Sequence, residues 1–370
     1  MRVAWVSSWD RICGIADYSK VLWPEIKTCL EAQGYSDNSL ISLDEFKSKK
    51  SLLRQIELLK PDIIHFQHEY GFFGGKNPPF YFFPSLIKNI KTRFPNIKLI
   101  ATAHTVLSKK YHYPLSGRGF EIPLRWFLNM FFIKKLNILW GASTWGLLDA
   151  VIVHSNHQVQ GVIESGCKNV KVIPLFVSKC QPLQSKKSET KKVILVFGFF
   201  SEDKGQDIAI EAFQYLSKDY KLILAGGVRR KKDQKYMEYC LKHIANFNLG
   251  NQVEITGYVT AQDIKGYFEH SDLVLVPFRQ TTGSASLAQA LSYGTAILAS
   301  DLLLNREIVE RVPNAIEFFK SGNPYDCALQ IERLCSQPEL IQQLRSSAKK
   351  YSETFSVGNI ALEHLKLYLK

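Results

Sequence analysis

The strongest chemical signal in the sequence is a run of small residues between a strand-like segment and a helix-patterned one. The run consists of Thr281, Thr282, Gly283, Ser284, Ala285 and Ser286. Small side chains leave the backbone N–H groups at a helix N-terminus accessible, and hydroxyl groups add further donors. A simple Ser or Thr cap would not need so many small residues. The run therefore predicts a site where backbone amides bind a diphosphate.

A lysine at the start of an earlier helix is the second signal. A buried strand runs into Gly198, and Lys204 and Gly205 then precede an amphipathic segment. A cation at a helix N-terminus opposes the helix dipole unless an anion binds there as well. Lys204 is therefore predicted to contact phosphate. The alternative is a lysine in a solvated loop.

Polar residues also end two strands in the first half of the chain. His68, Glu69 and Tyr70 follow one strand and are typical of a carbohydrate or acceptor surface; the alternative is a glycine-rich loop with a structural histidine. His104 ends the next strand, where its imidazole can donate to an oxyanion or a sugar hydroxyl near neutral pH. A structural histidine is the alternative there. His154 occupies a similar strand end, so the choice between the two stays open.

Three weaker features complete the candidates. Gly14 can bring a ligand close to the main chain, and Asp17 can cap a helix or accept from a sugar hydroxyl, although an ordinary turn explains both. Gly257, Tyr258 and Val259 offer backbone and an aromatic face to a nucleobase. The basic run at 229–232 is either a solvated face or a source of attraction for nucleotide phosphates.

Alternating strands and helices must position these residues. Buried strands of parallel sheets read as continuous apolar runs, and ligands bind beyond their carboxyl ends. The predicted strands are Val3–Val6, Ile63–Phe66, Leu99–Ala103, Ala150–Val153, Val170–Ile173, Lys192–Phe197, Lys221–Ala225, Val253–Ile255, Leu273–Val276 and Ala296–Ala299. The pattern predicts an α/β fold of two doubly wound units. Their expected bounds are 1–178 and 193–354, with a polar linker at 179–192 and a terminal helix at 355–370.

Composition and charge narrow the class. A chain of 370 residues fits two domains, and its net charge of +13 favours a polyanionic partner. Neither half carries GxGxxG after its first strand, which disfavours a dinucleotide-dependent oxidoreductase. No reader motif supports nucleic-acid binding, so no nucleic-acid partner is expected. No carboxylate pair of metal-binding type lies at a matching strand end, so no metal is expected.

The start of the chain has no apolar signal region, and none of the seven cysteines forms a CxxC. A cytoplasmic protein is expected. Segment 120–148 mixes aromatic and basic residues, and two interpretations stay open: an interfacial helix on the inner face of a membrane near a lipid-linked acceptor, or a core helix.

With these motifs in place, the chain resembles the retaining GT-B glycosyltransferases of family 4, also called glycosyltransferase group 1. The resemblance lies in GIADYS, HEYG and AHT in the first half and, more specifically, in GFFSEDKG, ITGYV and VPFRQTTGSASLAQALSYGTAILASD in the second. It implies two Rossmann-like domains facing a central cleft. The C-terminal domain would hold the nucleotide-sugar donor, the N-terminal domain the acceptor, and a terminal helix would cross back to the N-terminal domain.

The resemblance also implies roles for single residues. Lys204 matches the diphosphate-binding lysine, His104 the histidine beside the transferred sugar, and Gly14 the glycine loop facing the donor phosphates. Three positions depart from the family pattern. Thr281 and Gln289 replace two glutamates that contact the donor sugar and the ribose hydroxyls, and Phe199 replaces an arginine.

The expectation is thus a retaining, metal-independent hexosyltransferase that uses a UDP or GDP sugar, needs no cofactor, and acts on a hydroxyl of a glycan or lipid-linked glycan. The alternative is a GT-B-like subunit that binds a nucleotide or glycan with impaired catalysis. The expected catalytic residues are His104, Lys204 and Glu69. The expected donor-binding residues are Gly14, Gly198, Phe199, Lys204, Gly257, Tyr258, Val259, Gln289 and the run from Thr281 to Ser286. The expected acceptor-binding residues are Asp17, His68, Glu69 and Tyr70.

Overall fold

The chain divides into two compact units. A computed structural model describes residues 1–11, 13–45, 49–74, 81–106, 121–132, 144–178, 191–229, 231–280 and 284–370. Unit 1 contains Met1–Leu175 and Val357–Lys370, and unit 2 contains Phe176–Ser356. The predicted linker at 179–192 lies outside the described residues, apart from its last two.

Unit 1 is built on one parallel sheet. Its strands are β1 (Val3–Ser7), β2 (Ser39–Ser42), β3 (Ile63–His68), β4 (Lys98–Ala103), β5 (Ala150–Val153) and β6 (Val170–Val172). Its first described helices are α1 (Gly14–Glu31), α2 (Lys49–Leu59), α3 (Phe83–Arg93), α4 (Glu121–Phe131) and α5 (Asn156–Ile163). The strand order is β2-β1-β3-β4-β5-β6.

Unit 2 repeats this plan. Its strands are β7 (Lys192–Phe197), β8 (Tyr220–Ala225), β9 (Val253–Gly257), β10 (Leu273–Val276), β11 (Ile297–Ser300) and β12 (Glu317–Phe319). Its helices are α6 (Gln206–Ala212), α7 (Gln234–Asn246), α8 (Ile264–His270), α9 (Ala285–Ser292), α10 (Leu303–Arg311), α11 (Pro324–Cys335) and α12 (Pro338–Thr354). The strands are parallel, in the order β12-β11-β10-β7-β8-β9. The predicted α/β class with two doubly wound sheets is confirmed.

The apolar runs are continuous because both faces of each sheet are covered. In β7, Ile194 and Val196 pack into one apolar layer, while Val193 and Leu195 pack into the layer on the other face. Side chains of a strand alternate between the two faces, so both sets must be hydrophobic. Every predicted strand is present. The two that sequence reasoning missed, β2 and β12, each lie at one edge of their sheet.

The last helix of the chain, α13 (Val357–Tyr368), belongs to unit 1. It packs against α1, and the Tyr368 hydroxyl lies 2.5 Å from His65 Nδ1 on β3. Trp5 of β1 stacks on Trp23 of α1, with ring centroids 5.4 Å apart. These aromatic and imidazole groups cover one face of the sheet, while the main hydrophobic core of unit 1 fills the opposite face.

Chain order fixes where a ligand is expected in each unit. In unit 2 the chain runs from β7 outward to β8 and β9, and then returns to place β10 on the other side of β7. The crevice at such a switch point opens at the carboxyl ends of the two neighbouring strands. The loops after β7 and β10 therefore flank the expected position.

In the described part of the chain, no helix has both the length and the apolar character needed to cross a bilayer.

Gly205 lies where the loop after β7 packs against the loop after β10. Its φ is +66°, a left-handed conformation, and a Cβ built on it would lie 2.0 Å from the Pro277 carbonyl oxygen after β10. A side chain is thus excluded by backbone conformation and by contact with another backbone. Glycine at this point lets the turn that carries Lys204 pack directly on the exit of β10.

We predict that Gly205→Ala destabilises unit 2 by about 2–4 kcal/mol, because it combines a left-handed non-glycine residue with overpacking against backbone. All six tryptophans lie outside unit 2, so tryptophan fluorescence would not report on it. Hydrogen exchange of the β7 and β10 amides measures the loss directly. The control is Gly266→Ala in α8, where a Cβ meets nothing within 4 Å. Equal protection in both variants would contradict the prediction.

Candidate functional site

A pocket of about 830 Å³ opens in unit 2 at the carboxyl ends of β7, β8 and β9 and beside the start of α9. Eight of the donor-binding residues predicted from the sequence line it. They are Gly198, Phe199, Lys204, Tyr258, Val259, Ala285, Ser286 and Gln289. Gly257 ends β9 directly before Tyr258. One pocket thus brings together residues that are spread over about ninety positions of sequence, at the switch point of the sheet.

Two glycines after β8 bring the pocket loops together, and sequence reasoning missed them. A Cβ on Gly226 would lie 2.0 Å from the Gly198 carbonyl oxygen, and the Phe200 N–H donates to the Gly227 carbonyl at 2.9 Å. The β7 and β8 loops therefore pack backbone to backbone. The dipeptide after an apolar strand was the available sequence signal. Asp203, Arg229 and Asp233 are further lining residues that were absent from the predicted set.

The N-terminus of α9 forms another wall. Ser284 is its N-cap, and its hydroxyl accepts the Leu287 N–H at 3.1 Å. Ser286 approaches the β7 loop so closely that a Cβ on Gly198 would lie 2.8 Å from Ser286 Oγ. Gln289 lies one turn further along α9 and also lines the pocket. Thr281, Thr282 and Gly283, the first half of the small-residue run, lie outside the described residues.

Lys204 is a half-buried cation at the edge of this pocket. It ends a short 3-10 turn, and its Nζ lies 3.8 Å from the centroid of the Phe278 ring. Burial lowers the pKa of Lys204 below its ordinary value, and the neighbouring Asp203 charge opposes that shift. No described carboxylate lies within salt-bridge distance of Nζ. The ammonium is held by an aromatic face and remains available to an anion.

An ion pair fixes the turn that carries Lys204. Arg279 donates to both oxygens of Asp207, at 2.8 and 2.5 Å, and to the Glu202 carbonyl at 2.9 Å. Its own N–H donates to the Asp203 carbonyl at 2.9 Å. The Tyr236 hydroxyl also donates to Asp207, at 2.6 Å. Residues on either side of Lys204 are therefore bonded to the exit of β10. No motif indicated this pair, whose members are 72 positions apart.

In unit 1, His104 and His154 form one hydrogen-bonded pair. His154 Nδ1 lies 2.9 Å from the Ile173 carbonyl, which can only accept, so Nδ1 carries the proton. His154 Nε2 lies 3.3 Å from His104 Nδ1. The amide oxygen Oε1 of Gln67 lies 2.9 Å from the other ring nitrogen of His104, Nε2. Burial, followed by the charges of His154 and His68, lowers the pKa of His104 well below its ordinary value, so its ring is neutral.

The predicted acceptor residues separate into buried and accessible groups. His68 is fully buried on the sheet face that carries the main hydrophobic core, bonded to the Tyr81 hydroxyl at 2.8 Å, and burial lowers its pKa to about 3. This corrects the expectation that its imidazole faces an acceptor, because successive β3 side chains point to opposite faces and His68 points into the aromatic core. Tyr70 is buried beside it, with ring centroids 4.9 Å apart.

Glu69 lies at the surface between the ends of β3 and β4. Its Oε1 accepts the Tyr70 N–H at 3.0 Å, and its Oε2 accepts the Thr105 hydroxyl at 2.5 Å. Gly14 and Asp17 are exposed in the first turn of α1, and Gly14 has nothing within 4 Å of its Cβ position. Glu69, Gly14 and Asp17 are accessible, whereas His68 is not. In the described ranges, no group of three His, Cys, Asp or Glu side chains is placed to hold a metal ion.

Comparisons with known proteins agree with this geometry. Residues 180–351 match the family model described as glycosyl transferases group 1. An uncharacterized glycosyltransferase of Methanocaldococcus jannaschii is 24% identical over 174 residues, which cover 47% of each protein. The chain spans less than half the length of the curated relatives it matches.

Among solved structures, a glycosyltransferase from Rickettsia africae ESF-5 matches with a TM-score of 0.71 at 16% identity, covering 99% of this chain and 97% of that one. Anabaena Alr3699/HepE in complex with UDP matches with a TM-score of 0.69 at 16% identity, over the full length of both chains. HepE has also been solved in complex with UDP-glucose.

These findings show that residues 180–351 match the glycosyl transferases group 1 family and that the whole chain has the GT-B fold of solved glycosyltransferases. The resemblance inferred from the sequence motifs is confirmed at this level. Membership of family 4 and retention at the anomeric carbon remain predictions.

The Asp207–Arg279 pair makes a prediction about pH. Burial alone raises the pKa of Asp207, but the Arg279 and Tyr236 hydrogen bonds and the Arg279 charge outweigh it, so the folded-state pKa is lowered. A lowered pKa contributes stability above the unfolded value of about 3.9, and that contribution is lost as pH falls through the folded pKa. We predict that Asp207→Asn costs unit 2 about 2 kcal/mol at pH 7, and less at each step below about pH 4.

Hydrogen exchange of the β7 and β10 amides, or urea unfolding followed by circular dichroism, at several pH values between about 7 and 3 measures this difference. Asp219→Asn is the control, because Asp219 is exposed and lies outside the pocket. A stability difference between wild type and Asp207→Asn that stays constant over this range would contradict the assignment.

Proposed function

We propose that this protein transfers a hexose from a nucleoside-diphosphate sugar to a hydroxyl group of a glycan or lipid-linked glycan. One observation carries the proposal: an unpaired ammonium, Lys204, and the N-terminus of α9 line the same pocket at the switch point of unit 2. A diphosphate leaving group needs such preorganised positive charge and donors, because its negative charge grows as the glycosidic bond breaks.

The same pocket supports a position for the nucleoside. Tyr258 exposes most of its ring, and Val259 and the Gly257 end of β9 offer backbone groups to a base. Gln289 is placed to hydrogen-bond the ribose hydroxyls as a neutral amide. UDP and GDP sugars are the proposed donors. The complexes of HepE with UDP and UDP-glucose make the UDP sugars the first to test.

We assign the acceptor to unit 1. Glu69 and Asp17 are accessible carboxylates, and a carboxylate that accepts one bond per oxygen still has free lone pairs for sugar hydroxyls. His104 acts as a neutral imidazole, because burial lowers its pKa, and its ring is held by His154 and Gln67. Gly14 leaves open space beside the first turn of α1.

The proposed reaction retains the anomeric configuration. The bond from the anomeric carbon to the phosphate oxygen breaks, the bond from that carbon to the acceptor oxygen forms on the same face, and the acceptor proton passes to the leaving phosphate. Lys204 and the α9 amides stabilise the charge on that phosphate, so this route asks for neither a metal ion nor a cofactor. The second candidate is a subunit that binds nucleotide or glycan with impaired catalysis, because Thr281 and Gln289 stand where the family has glutamates.

We predict that the purified protein consumes UDP-glucose, another UDP sugar or a GDP sugar, and that Lys204→Ala lowers its kcat by roughly 100-fold, as loss of one preorganised donor does elsewhere. Nucleotide release in the presence of an acceptor panel measures the rate. Lys192→Ala serves as the matched control, because Lys192 is an exposed lysine of the same unit outside the pocket.

The configuration of the product tests the mechanism separately, and an inverted product would overturn the retaining route. Tight nucleotide binding without turnover of any donor would favour the second candidate. Failure to bind UDP, GDP or their sugars would overturn both.

We further propose peripheral contact with an anionic membrane through α4. Its residues Leu124, Trp126, Phe127, Met130 and Phe131 each expose about half of their side chains. Exposed aromatic and aliphatic groups on one short helix, in a chain with a net charge of +13, favour an interfacial position on anionic lipid.

We predict that the protein floats with phosphatidylglycerol vesicles in a sucrose gradient, and that the double variant Phe127→Ser with Phe131→Ser floats at least roughly threefold less. Tyr325→Ser is the matched control, because it removes an equally exposed aromatic side chain from unit 2. Equal flotation of all three proteins, or none at moderate salt, would contradict membrane contact through α4.

A further inference from the structure

A second cation, Arg229, lines the unit 2 pocket together with Lys204. The described lining of this pocket contains two cations, Lys204 and Arg229, and two carboxylates, Asp203 and Asp233. A nucleoside-diphosphate sugar brings two more negative charges, and a third appears when the diphosphate leaves. Each cation in the lining attracts a ligand with this charge, so Arg229 adds to the attraction that Lys204 provides.

Arg229 is held next to the β7 loop by backbone contacts. Residues 226–229 leave β8, and the Phe200 N–H to Gly227 carbonyl bond ties them to the loop after β7. The guanidinium carbon of Arg229 then lies 5.8 Å from the centroid of the Phe199 ring. Both side chains line the pocket. The position of Arg229 is therefore set by the same loops that place Lys204.

The surroundings of the Arg229 guanidinium favour binding of an anion. It is exposed, and no described carboxylate lies within salt-bridge distance of its guanidinium. A guanidinium that packs on an aromatic ring keeps N–H groups at its edges, and these match phosphate oxygens in a bidentate manner. The ring limits the rotamers of the arginine, so less conformational freedom is lost when the ligand binds.

We propose that Arg229, supported by the Phe199 ring, is the second diphosphate-binding cation of this pocket. The inference rests on the proposed function, because it assigns a ligand group to the same site. It selects phosphate binding over the solvated face for the first member of the basic run. It also gives Phe199 a role as a platform for a cation.

Calorimetric titration of the full chain with UDP, UMP and uridine, and with the guanosine series, tests the proposal. Arg229→Ala is expected to weaken UDP or GDP binding by roughly 10- to 30-fold and binding of the nucleoside by less than about twofold. Arg229→Lys should recover part of the loss. The matched control Lys231→Ala removes an exposed cation of the same run from outside the pocket, and should leave affinity unchanged.

A charge swap sharpens the test. In an Arg229→Ala background, Phe199→Arg places a guanidinium on the adjoining loop of the same pocket, and should restore diphosphate affinity to within about threefold of wild type. Equal losses for nucleoside and diphosphate would assign Arg229 to the base and overturn the proposal. Unchanged diphosphate binding in Arg229→Ala would return Arg229 to the solvated face.

The outcomes also separate this inference from the proposed function. If Lys204→Ala loses diphosphate binding while Arg229→Ala does not, the donor pocket stands and the role of Arg229 is wrong. If the wild-type chain binds none of the nucleotides, both are overturned.

Discussion

A single cation held in place before any ligand arrives is the feature on which the unit 2 site depends. Lys204 stands over Phe278, and the turn that carries it is fixed from two sides. Gly205 packs on the Pro277 carbonyl, and Arg279 is paired with Asp207. Half-burial of an ammonium lowers its hydration, so the group gains more from an anion than a lysine in solvent would. The turn that carries Lys204 is already ordered in the folded protein, so little further conformational entropy is lost when an anion binds.

Sequence patterns predicted those parts of the fold that repeat along the chain. The continuous apolar runs of the inner strands follow from burial on both faces, whereas β2 and β12, at the sheet edges, are short and lack this signature. The pocket residues at strand ends were predicted by the same logic, since parallel strands share one carboxyl edge. The Arg279–Asp207 pair was not, because it joins two loops whose proximity is set by strand order and not by any local spacing.

The histidines of unit 1 show why residue type alone did not assign roles. His65 and His68 lie on the same strand, three positions apart, and therefore on opposite faces of the sheet. His68 is enclosed by aromatic side chains, while His65 bonds Tyr368 and Thr102 on the helix α13 face. His104 and His154, which sequence reasoning treated as competitors, are successive members of one hydrogen-bonded chain. The surroundings of these histidines differ because their side chains point in different directions. Those directions depend on the register of each strand in the sheet.

The departures from the family pattern affect different parts of the donor. By resemblance, Thr281 and Gln289 stand where group 1 glycosyltransferases have glutamates for the sugar and the ribose. In our proposal the charge on the leaving diphosphate is met by Lys204, the start of α9 and Arg229, which line one pocket. A glutamine in place of a glutamate on α9 removes no cation from the pocket. A neutral Gln289 also leaves fewer carboxylates around an anionic ligand. The departures therefore favour altered donor recognition more than they favour loss of the group-transfer step.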